Sequence, residues 1–278
     1  MLPPGSPYTP LYEAQNSARY ERQSLIREYQ SRKDCNLVVV SSTIFPFSVV
    51  FFEELIHNVD PQKDLHVMLA SPGGNGETAL RLIRSAQQRS RQVTVVVPDQ
   101  AKSAATLFCL GAHQILMGPS SDFGPIDPQF SLDDKGTLVS AKDIIAAVED
   151  ATERVQRAPE TYPLWASLLS NVTALMVQQA RSAILRSGDL LRHALQANPD
   201  RTEEEVAKLV ENLQGKLIVE SQTHAAVFGS EDAQAAGLPV RKLDPSGEEW
   251  REIWRLWSRY VVLPQSTVYE GAQASQMF

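Results

Sequence analysis

Two short segments of the chain carry residue types suited to acyl-transfer chemistry, and the first contains Ser103. This serine follows the β-branched run 93–97 and Pro98, and directly precedes the apolar, helix-forming run that ends at Leu110. A hydroxyl at a helix N-terminus lies beside unpaired backbone N–H groups and the positive end of the helix dipole, where a developing oxyanion is stabilised. On this segment alone, a helix cap is the simpler interpretation of Ser103, because serine is a favoured N-cap residue.

The second segment is Ser-Pro-Gly-Gly at residues 71–74, which follows the apolar stretch 65–70. Paired glycines adopt φ values closed to other residues and allow a ligand to approach the backbone closely, so their N–H groups can point outward. A strand, this glycine turn and a helix, followed by a second strand, turn and helix at residues 92–111, form a more specific pattern than either unit alone.

The surrounding pattern predicts the elements that position these turns. Apolar strands are predicted at 36–42, 65–70, 92–97 and 114–117, and helices at 47–59, 77–90 and 103–111. Strands that alternate with helices imply an α/β fold with a mostly parallel sheet of repeated β-α units and right-handed crossovers. Ligands bind such sheets at the carboxyl ends of the strands, and both turns lie there.

Six motifs are distributed along the chain: TPLYEA at 9–14, RYERQ with LIRE at 19–28, SPGG at 71–74, VPD with AKSA at 97–104, MGP at 117–119 and GPIDPQ at 124–129. In these motifs the chain resembles the serine dehydrogenase proteinase family, which is related to signal peptide peptidase A. Together they span most of residues 9–240. The resemblance implies a Clp protease/crotonase-like fold, in agreement with the alternating pattern.

The same resemblance implies roles for individual residues. Ser103 would be the nucleophile, and the oxyanion hole would use the amides of Gly74, Gly73 and Ala104. This chain departs from the family at one position, because the usual Lys-Ser-Ala-Gly-Thr reads Lys-Ser-Ala-Ala-Thr, which puts a methyl group at Ala105.

A serine hydroxyl needs a general base, and two lysines compete for that role. Relatives of signal peptide peptidase A use a lysine, in some members about forty residues after the serine. Lys142 follows Ser103 by 39 residues, after a strand-like segment, whereas Lys135 lies in a polar turn. A lysine in a turn stays solvated and protonated, while burial lowers a lysine pKa. Lys142 is therefore the candidate base.

Histidine is the other possible base. Clp-type peptidases place a histidine after the nucleophile helix, but the corresponding segment here, 124–128, contains none. His113, at a helix-to-strand junction, is interpreted as structural. His224 is kept as the alternative base, because a histidine recurs near this position in the family.

Composition limits the class of protein. The chain has 278 residues, 43% of them hydrophobic, and a net charge of −7, which argues against general nucleic-acid binding. Its two cysteines favour a reducing compartment over a disulfide framework. We find no signal peptide, no membrane-spanning segment, no dinucleotide fingerprint and no metal-ligand cluster. A cytoplasmic protein without cofactor or metal is expected.

The pattern divides the chain into four parts. An irregular segment with a surface helix occupies 1–34, a Clp/crotonase-like catalytic core 35–150, a helical extension completing the domain 151–263, and a tail expected to be disordered 264–278. The terminal helix carries a stripe of bulky residues, Trp250, Ile253, Trp254 and Trp257, which is more typical of core packing than of recognition but suits a contact between subunits.

These observations predict a serine endopeptidase with a lysine base, acting on peptide or unfolded protein, as a homo-oligomer. Two alternatives stay open: a crotonase-like thioester enzyme, in which the same amides would stabilise an enolate, and an inactive scaffold of the same fold. The mixed charges of the N-terminal helix favour a solvated face, and leave peripheral association with a membrane or a membrane protein as an option.

Overall fold

A seven-stranded, mostly parallel sheet organises the chain in the computed structural model, which describes residues 9–131, 137–219, 227–263 and 267–277. Its strands, in spatial order, are β10 (Val240–Lys242), β5 (Gln114–Met117), β3 (Val93–Val97), β2 (Asp64–Ala70), β1 (Cys35–Ser41), β11 (Val268–Gly271) and β12 (Ser275–Met277). The five from β10 to β1 are parallel, and β11 and β12 add antiparallel pairs at the β1 edge.

Two smaller sheets lie beside the carboxyl end of the large one. One contains β4 (Gln100–Ala101), β6 (Asp122–Phe123) and β9 (Phe228–Gly229). The other is a hairpin of β7 (Gln129–Ser131) and β8 (Leu138–Ser140). Ser71, directly after β2, forms a parallel bridge with Ala101 of β4, so the glycine turn and the Ser103 turn are joined through backbone pairing.

Helices cover both faces of the large sheet. They are α1 (Pro10–Lys33), α2 (Ser48–Ile56), α3 (Gly76–Gln88), α4 (Ala104–Leu110), α5 (Ala141–Arg157), α6 (Tyr162–Leu168), α7 (Ala174–Gln196), α8 (Glu203–Gln214), α9 (Ser230–Ala235) and α10 (Glu248–Val261). A 3₁₀ turn at Pro159–Thr161 precedes α6, and a π turn at Gly215–Val219 follows α8.

The two faces of the sheet bury separate apolar clusters, because successive side chains of a strand point to opposite faces. In β1, Val38 and Val40 pack with α2, α3, α4, α7 and α8, whereas Leu37 and Val39 pack with α1 and α10. The α/β fold class expected from the alternating pattern is confirmed.

The tail is expected to be disordered from residue 264 onward, and the described part of it corrects this expectation. Val268–Gly271 form β11, which pairs with β1, and Ser275–Met277 form β12, which pairs with β11. Residues 264–266 and 278 lie outside the described residues. The carboxylate of Glu270 in β11 is buried and accepts hydrogen bonds from Arg22 Nε at 2.6 Å and from the Tyr260 hydroxyl at 2.7 Å. This network ties the tail to α1 and α10, and pairing between distant residues leaves no periodic signal in so short a segment.

Within the helical extension, α6 and α7 are separate helices with a turn between them. Of the tryptophan stripe, Trp257 and Ile253 are buried in the core, and Trp254 is 50% exposed. Among the described residues, no helix combines the length and apolar character that crossing a bilayer requires.

Candidate active site

Ser103 occupies a strained turn between β4 and α4. Its backbone angles are φ 49° and ψ −111°, and the Ala105 N–H donates to the Lys102 carbonyl at 2.9 Å. These features define the second residue of a type II′ turn, a position normally taken by glycine. A non-glycine residue there stores on the order of 1–3 kcal/mol of backbone strain.

The hydroxyl of Ser103 does not cap α4, which corrects the simpler interpretation of this serine. It makes no hydrogen bond to the first turn of the helix, and the side chain is partly exposed. A strained serine on a sharp strand-to-helix turn is the arrangement of a nucleophile elbow. The Ser103 side chain is therefore partly exposed and does not serve as the helix cap.

Hydrogen bonds hold the chain just before the serine on both sides. On one side, Lys102 N donates to the Ser71 carbonyl at 2.9 Å. On the other, the buried Thr106 hydroxyl contacts the carbonyls of Ala101 and Gly124, each at 2.8 Å. The segment is thus anchored to the glycine turn and to the GPIDPQ loop, which keeps the serine between them.

The glycine turn lies directly against the serine. Gly73 has φ +106°, and a Cβ added to it would lie 2.8 Å from Ser103 Cβ and 2.7 Å from the Lys102 carbonyl oxygen. Gly74 has φ +131°, and an added Cβ would lie 2.0 Å from the Ile44 carbonyl oxygen. Both positions therefore need glycine for conformation and for space.

Ile44 fixes the orientation of the two glycine peptides. Its N–H donates to the Gly73 carbonyl at 2.8 Å, and its carbonyl accepts from Asn75 N at 2.8 Å. The Gly73 N–H donates to the Ser71 hydroxyl at 3.0 Å. Within the described residues, the N–H groups of Gly74 and Ala104 have no hydrogen-bond acceptor. These two amides are the ones available to an oxyanion.

An open cleft of about 770 Å³ adjoins the two turns. Its lining includes Thr43, Pro72, Gly73, Gly74, Asp99, Gln100, Lys102, Asp122, Gln129 and Leu138. The β7–β8 hairpin contributes the last two residues, so it borders the cleft. A peptide segment could therefore reach the turns from solvent.

The charged residues of the cleft form one group. Lys102 Nζ is ion-paired with the Asp122 carboxylate and lies 3.3 Å from the Phe123 carbonyl oxygen. Burial, and next the charge of Asp122, raise the pKa of Asp99, whereas Lys102 lowers it. The ammonium of Lys102 is directed to this group, so it is not placed to serve Ser103 as a base.

The opposite end of α4 is held by a partly buried guanidinium. Arg201 donates to the carbonyls of Leu110 at 2.5 Å and Ala112 at 3.2 Å, and burial lowers its pKa to about 10. The group is still protonated at neutral pH, and a cation at a helix C-terminus stabilises the helix dipole. The helix that follows Ser103 is therefore fixed at both ends.

The candidate bases are not all placed by the structure. Lys142 lies in the first turn of α5, where its N–H donates to Ser140 Oγ at 3.1 Å, and Ser140 leads directly from the hairpin that borders the cleft. No hydrogen bond joins Lys142 to Ser103 in the described part of the chain. His224 and Lys135 lie outside the described residues.

His113 has contacts that fit its structural interpretation. Its Nδ1 accepts from Val93 N at 3.0 Å, and its Nε2 lies 3.3 Å from the Asp200 carboxylate. Burial lowers its pKa, so the neutral ring is favoured. The structure places Ser103, Gly73, Gly74 and Ala104 next to one another, although the Gly73 amide, expected in the oxyanion hole, is already bonded to the Ser71 hydroxyl. His113 lies at the opposite, amino-terminal end of β3.

Sequence reasoning missed two contributors to the site. Ile44 orients the glycine turn through its backbone alone, and backbone contacts leave no residue-type signal. Asp122 pairs with Lys102 across 20 positions, and only the neighbouring GPIDPQ motif marked that region. The methyl group of Ala105, where the family has glycine, is fully buried in the apolar core and does not line the cleft.

A mostly parallel sheet thus brings a strained serine turn and a glycine turn together beside its carboxyl end, an arrangement that suits acyl-transfer chemistry. The chain belongs to the family described as ClpP-like SDH-type serine proteinases, whose sequence profile matches residues 53–261. This match covers most of the chain and confirms both the family expected from the motifs and the Clp-like fold. A serine proteinase family is therefore established, and the identity of the base is not part of that match.

Similar proteins add little on activity. An uncharacterized protein of Methanocaldococcus jannaschii is 24% identical over 234 residues, covering 79% of this chain and 73% of the relative. A second uncharacterized protein of that organism is 28% identical over 65 residues, 23% of this chain and 22% of the relative. A structure of a ClpP1 mutant from Listeria monocytogenes matches with a TM-score of 0.42 and 11% identity, over 80% of this chain and 98% of that one.

Proposed function

We propose that this protein is a serine endopeptidase that hydrolyses peptide bonds through an acyl-enzyme on Ser103. The observation that carries the proposal is the strained turn, which places a partly exposed serine next to two cleft-lining residues, Gly73 and Lys102, and beside two amides without acceptors. Strain of this kind persists only where the surrounding structure enforces it, and it is typical of catalytic sites. Membership of a serine proteinase family supports the same chemistry.

The proposed reaction begins when the base takes the proton of the Ser103 hydroxyl. The oxygen attacks the carbonyl carbon of the peptide, and the negative charge moves to the carbonyl oxygen, which accepts hydrogen bonds from Gly74 and Ala104. The carbon–nitrogen bond then breaks, and the leaving amine takes the proton from the base. Water, deprotonated by the same base, hydrolyses the ester and regenerates the serine.

Lys142 is the proposed base, with His224 as the alternative. Two features support Lys142: it opens the helix that continues from the cleft hairpin, and it is partly buried. A lysine can take the serine proton only in its neutral form, so turnover should rise with pH if Lys142 is the base. Lys142→Met should fold normally and lose turnover by about a hundredfold or more, as expected for a general base. Lys135→Met is the matched control and should change turnover little.

The two bases give opposite results in one pair of variants. A folded Lys142→Met enzyme that keeps its turnover, together with a folded but inactive His224→Ala enzyme, would replace the Ser-Lys mechanism by a Ser-His mechanism. Measuring turnover from pH 6 to 10 in both variants separates the assignments further, because histidine titrates near pH 6.5 in its ordinary state.

Replacing the nucleophile tests the reaction class. Ser103→Ala should abolish hydrolysis of an unfolded protein substrate, because no acyl-enzyme can form. Turnover of a thioester that survives in Ser103→Ala would instead support the crotonase-like alternative, in which the amides act on an enolate and the serine is unnecessary. A wild-type protein that hydrolyses neither substrate would support the inactive scaffold.

We further propose that the substrate is an unfolded or extended peptide and that the protein acts as a cytoplasmic homo-oligomer. Large apolar side chains on α6 and α7 are exposed, among them Leu164, Leu168 and Leu175, which suits a contact between subunits. Light scattering during size-exclusion chromatography measures the assembly.

Both cysteines are buried thiols. Burial raises the pKa values of both, that of Cys35 to about 12, so both remain protonated and unreactive.

A further inference from the structure

We propose that the ion pair between Lys102 and Asp122 is a positioning device that holds the Ser103 turn in its strained conformation. The catalytic consequence of this proposal rests on the proposed peptidase function, whereas its conformational consequence does not. Neither residue is placed to contact the reacting atoms as acid or base.

The first observation is the degree to which Lys102 is immobilised. Its side chain is 13% exposed and that of Asp122 is 14% exposed, and its ammonium also lies 3.3 Å from the Phe123 carbonyl oxygen. The stem of the lysine lies against Gly124, where an added Cβ would be only 2.3 Å from Lys102 Cδ. A long side chain that is held along its stem and at its charged end cannot rotate without breaking several contacts.

The second observation is where this anchor falls in the chain. The β4–β6 backbone pairing stops at Ala101, and the Lys102 N–H makes the final bond to the glycine turn, at 2.9 Å from the Ser71 carbonyl. Ser103 follows immediately with φ 49°. The ion pair is thus the side-chain anchor adjacent to the strained residue, and it acts on the peptide that leads into the turn.

The third observation is that a change in the conformation of the turn would release backbone strain. The hydroxyl of Ser103 contributes no cap bond that would hold the turn, and the residue occupies a conformation that favours glycine. Without the ion pair, residue 103 can move towards negative φ and release strain. Such a movement would carry the hydroxyl away from the Gly74 and Ala104 amides.

Two substitutions remove the ion pair: Lys102→Met keeps the apolar stem of the lysine, and Asp122→Asn keeps the shape of the carboxylate. The control is Lys33→Met, which removes a partly buried ion pair with Glu249 on the far face of the sheet. The first measurement is the rate at which a fluorophosphonate labels Ser103. Because a small misplacement of a reacting group can cost about a hundredfold in rate, we expect labelling to slow by tenfold to a hundredfold in the two test variants. The control should label at the wild-type rate.

The second measurement does not depend on activity. The urea midpoint of unfolding is compared for Lys102→Met in the natural chain and in the Ser103→Gly background. If the ion pair enforces strain, its loss is partly offset by relaxation of Ser103, so Lys102→Met should lower the midpoint more in the Ser103→Gly background, where there is no strain to release. A lysine that serves only general stability gives equal shifts in the two backgrounds.

The outcomes separate this proposal from the peptidase function. Slower labelling with a larger midpoint shift in the Ser103→Gly background supports the positioning role. Labelling within twofold of wild type in folded variants, or equal midpoint shifts, overturns it. If wild-type Ser103 is not labelled at all, the peptidase function fails, and the comparison of midpoints alone decides whether the ion pair enforces the turn.

Discussion

Replacing Ser103 by glycine should remove activity and increase stability at the same time. The serine holds φ 49° and ψ −111°, a conformation that stores about 1–3 kcal/mol in a residue with a Cβ and almost none in glycine. Glycine also gains freedom in the unfolded chain, which offsets about 0.5–1 kcal/mol of that relief. The net expectation is a gain of about 1 kcal/mol for Ser103→Gly over Ser103→Ala.

Ser103→Ala is the matched reference, because it removes the same hydroxyl and keeps the strained Cβ. The hydroxyl caps no helix, so this variant should match the wild type within about 0.5 kcal/mol. Urea unfolding monitored by circular dichroism gives the free energies, and a difference of about 1 kcal/mol corresponds to a melting shift of roughly 2–4 °C. A Ser103→Gly protein that is no more stable than Ser103→Ala would show that the turn is not strained, and would remove the main support for a nucleophile elbow.

Three further predictions concern the frame around the site. Gly74→Ala should unfold the protein or destabilise it strongly, because the new Cβ would lie 2.0 Å from the Ile44 carbonyl oxygen. Gly188→Ala, within α7, should instead add about 0.5–1 kcal/mol of stability, because its new Cβ would meet only the Gln214 side chain, at an ordinary contact distance of 4.0 Å. Equal melting temperatures of the two variants would contradict this. Burial lowers the pKa of His66 to about 4, whereas a histidine in the unfolded chain titrates near 6.5. The unfolded chain therefore takes up a proton first, and the wild type should lose stability as pH falls from about 6.5 to about 4. His66→Gln should lose less stability over this range, and parallel stability profiles of the two proteins would refute the assignment. Arg22→Met leaves the charge of Glu270 buried without its partner and should lower the free energy of unfolding by about 3–5 kcal/mol. The double variant Arg22→Met/Glu270→Gln should recover part of this loss. An unchanged urea midpoint in Arg22→Met would show that the tail is not tightly packed.

The parts of the fold that local pattern determines were predictable from the sequence. The β-branched run of β3 and the apolar runs of β1 and β2 are buried on both faces, so each appears as a continuous apolar segment. The glycine turn and the serine turn were identified because both follow such strands. Parallel strands bring their carboxyl ends to one edge, which is why the two turns meet.

Contacts between distant residues could not be predicted in the same way. The tail strands depend on a buried carboxylate paired with Arg22, and the sequence shows only a short segment that contains one glutamate. The partner of Lys102 and the backbone role of Ile44 likewise depend on elements that meet only after folding. The strain at Ser103 is a conformational property, and the residue type alone favoured an ordinary helix cap.

Covalent labelling of Ser103 measures the nucleophile most directly. The wild-type protein is incubated with a fluorophosphonate, in which an activated serine oxygen displaces fluoride from phosphorus, and the product is analysed by intact mass and peptide mapping. The predicted result is a single adduct on Ser103, with none on the folded Ser103→Gly and Ser103→Ala variants. A folded wild-type protein that stays unlabelled, or that carries its adduct on another residue, would contradict a nucleophilic role for Ser103.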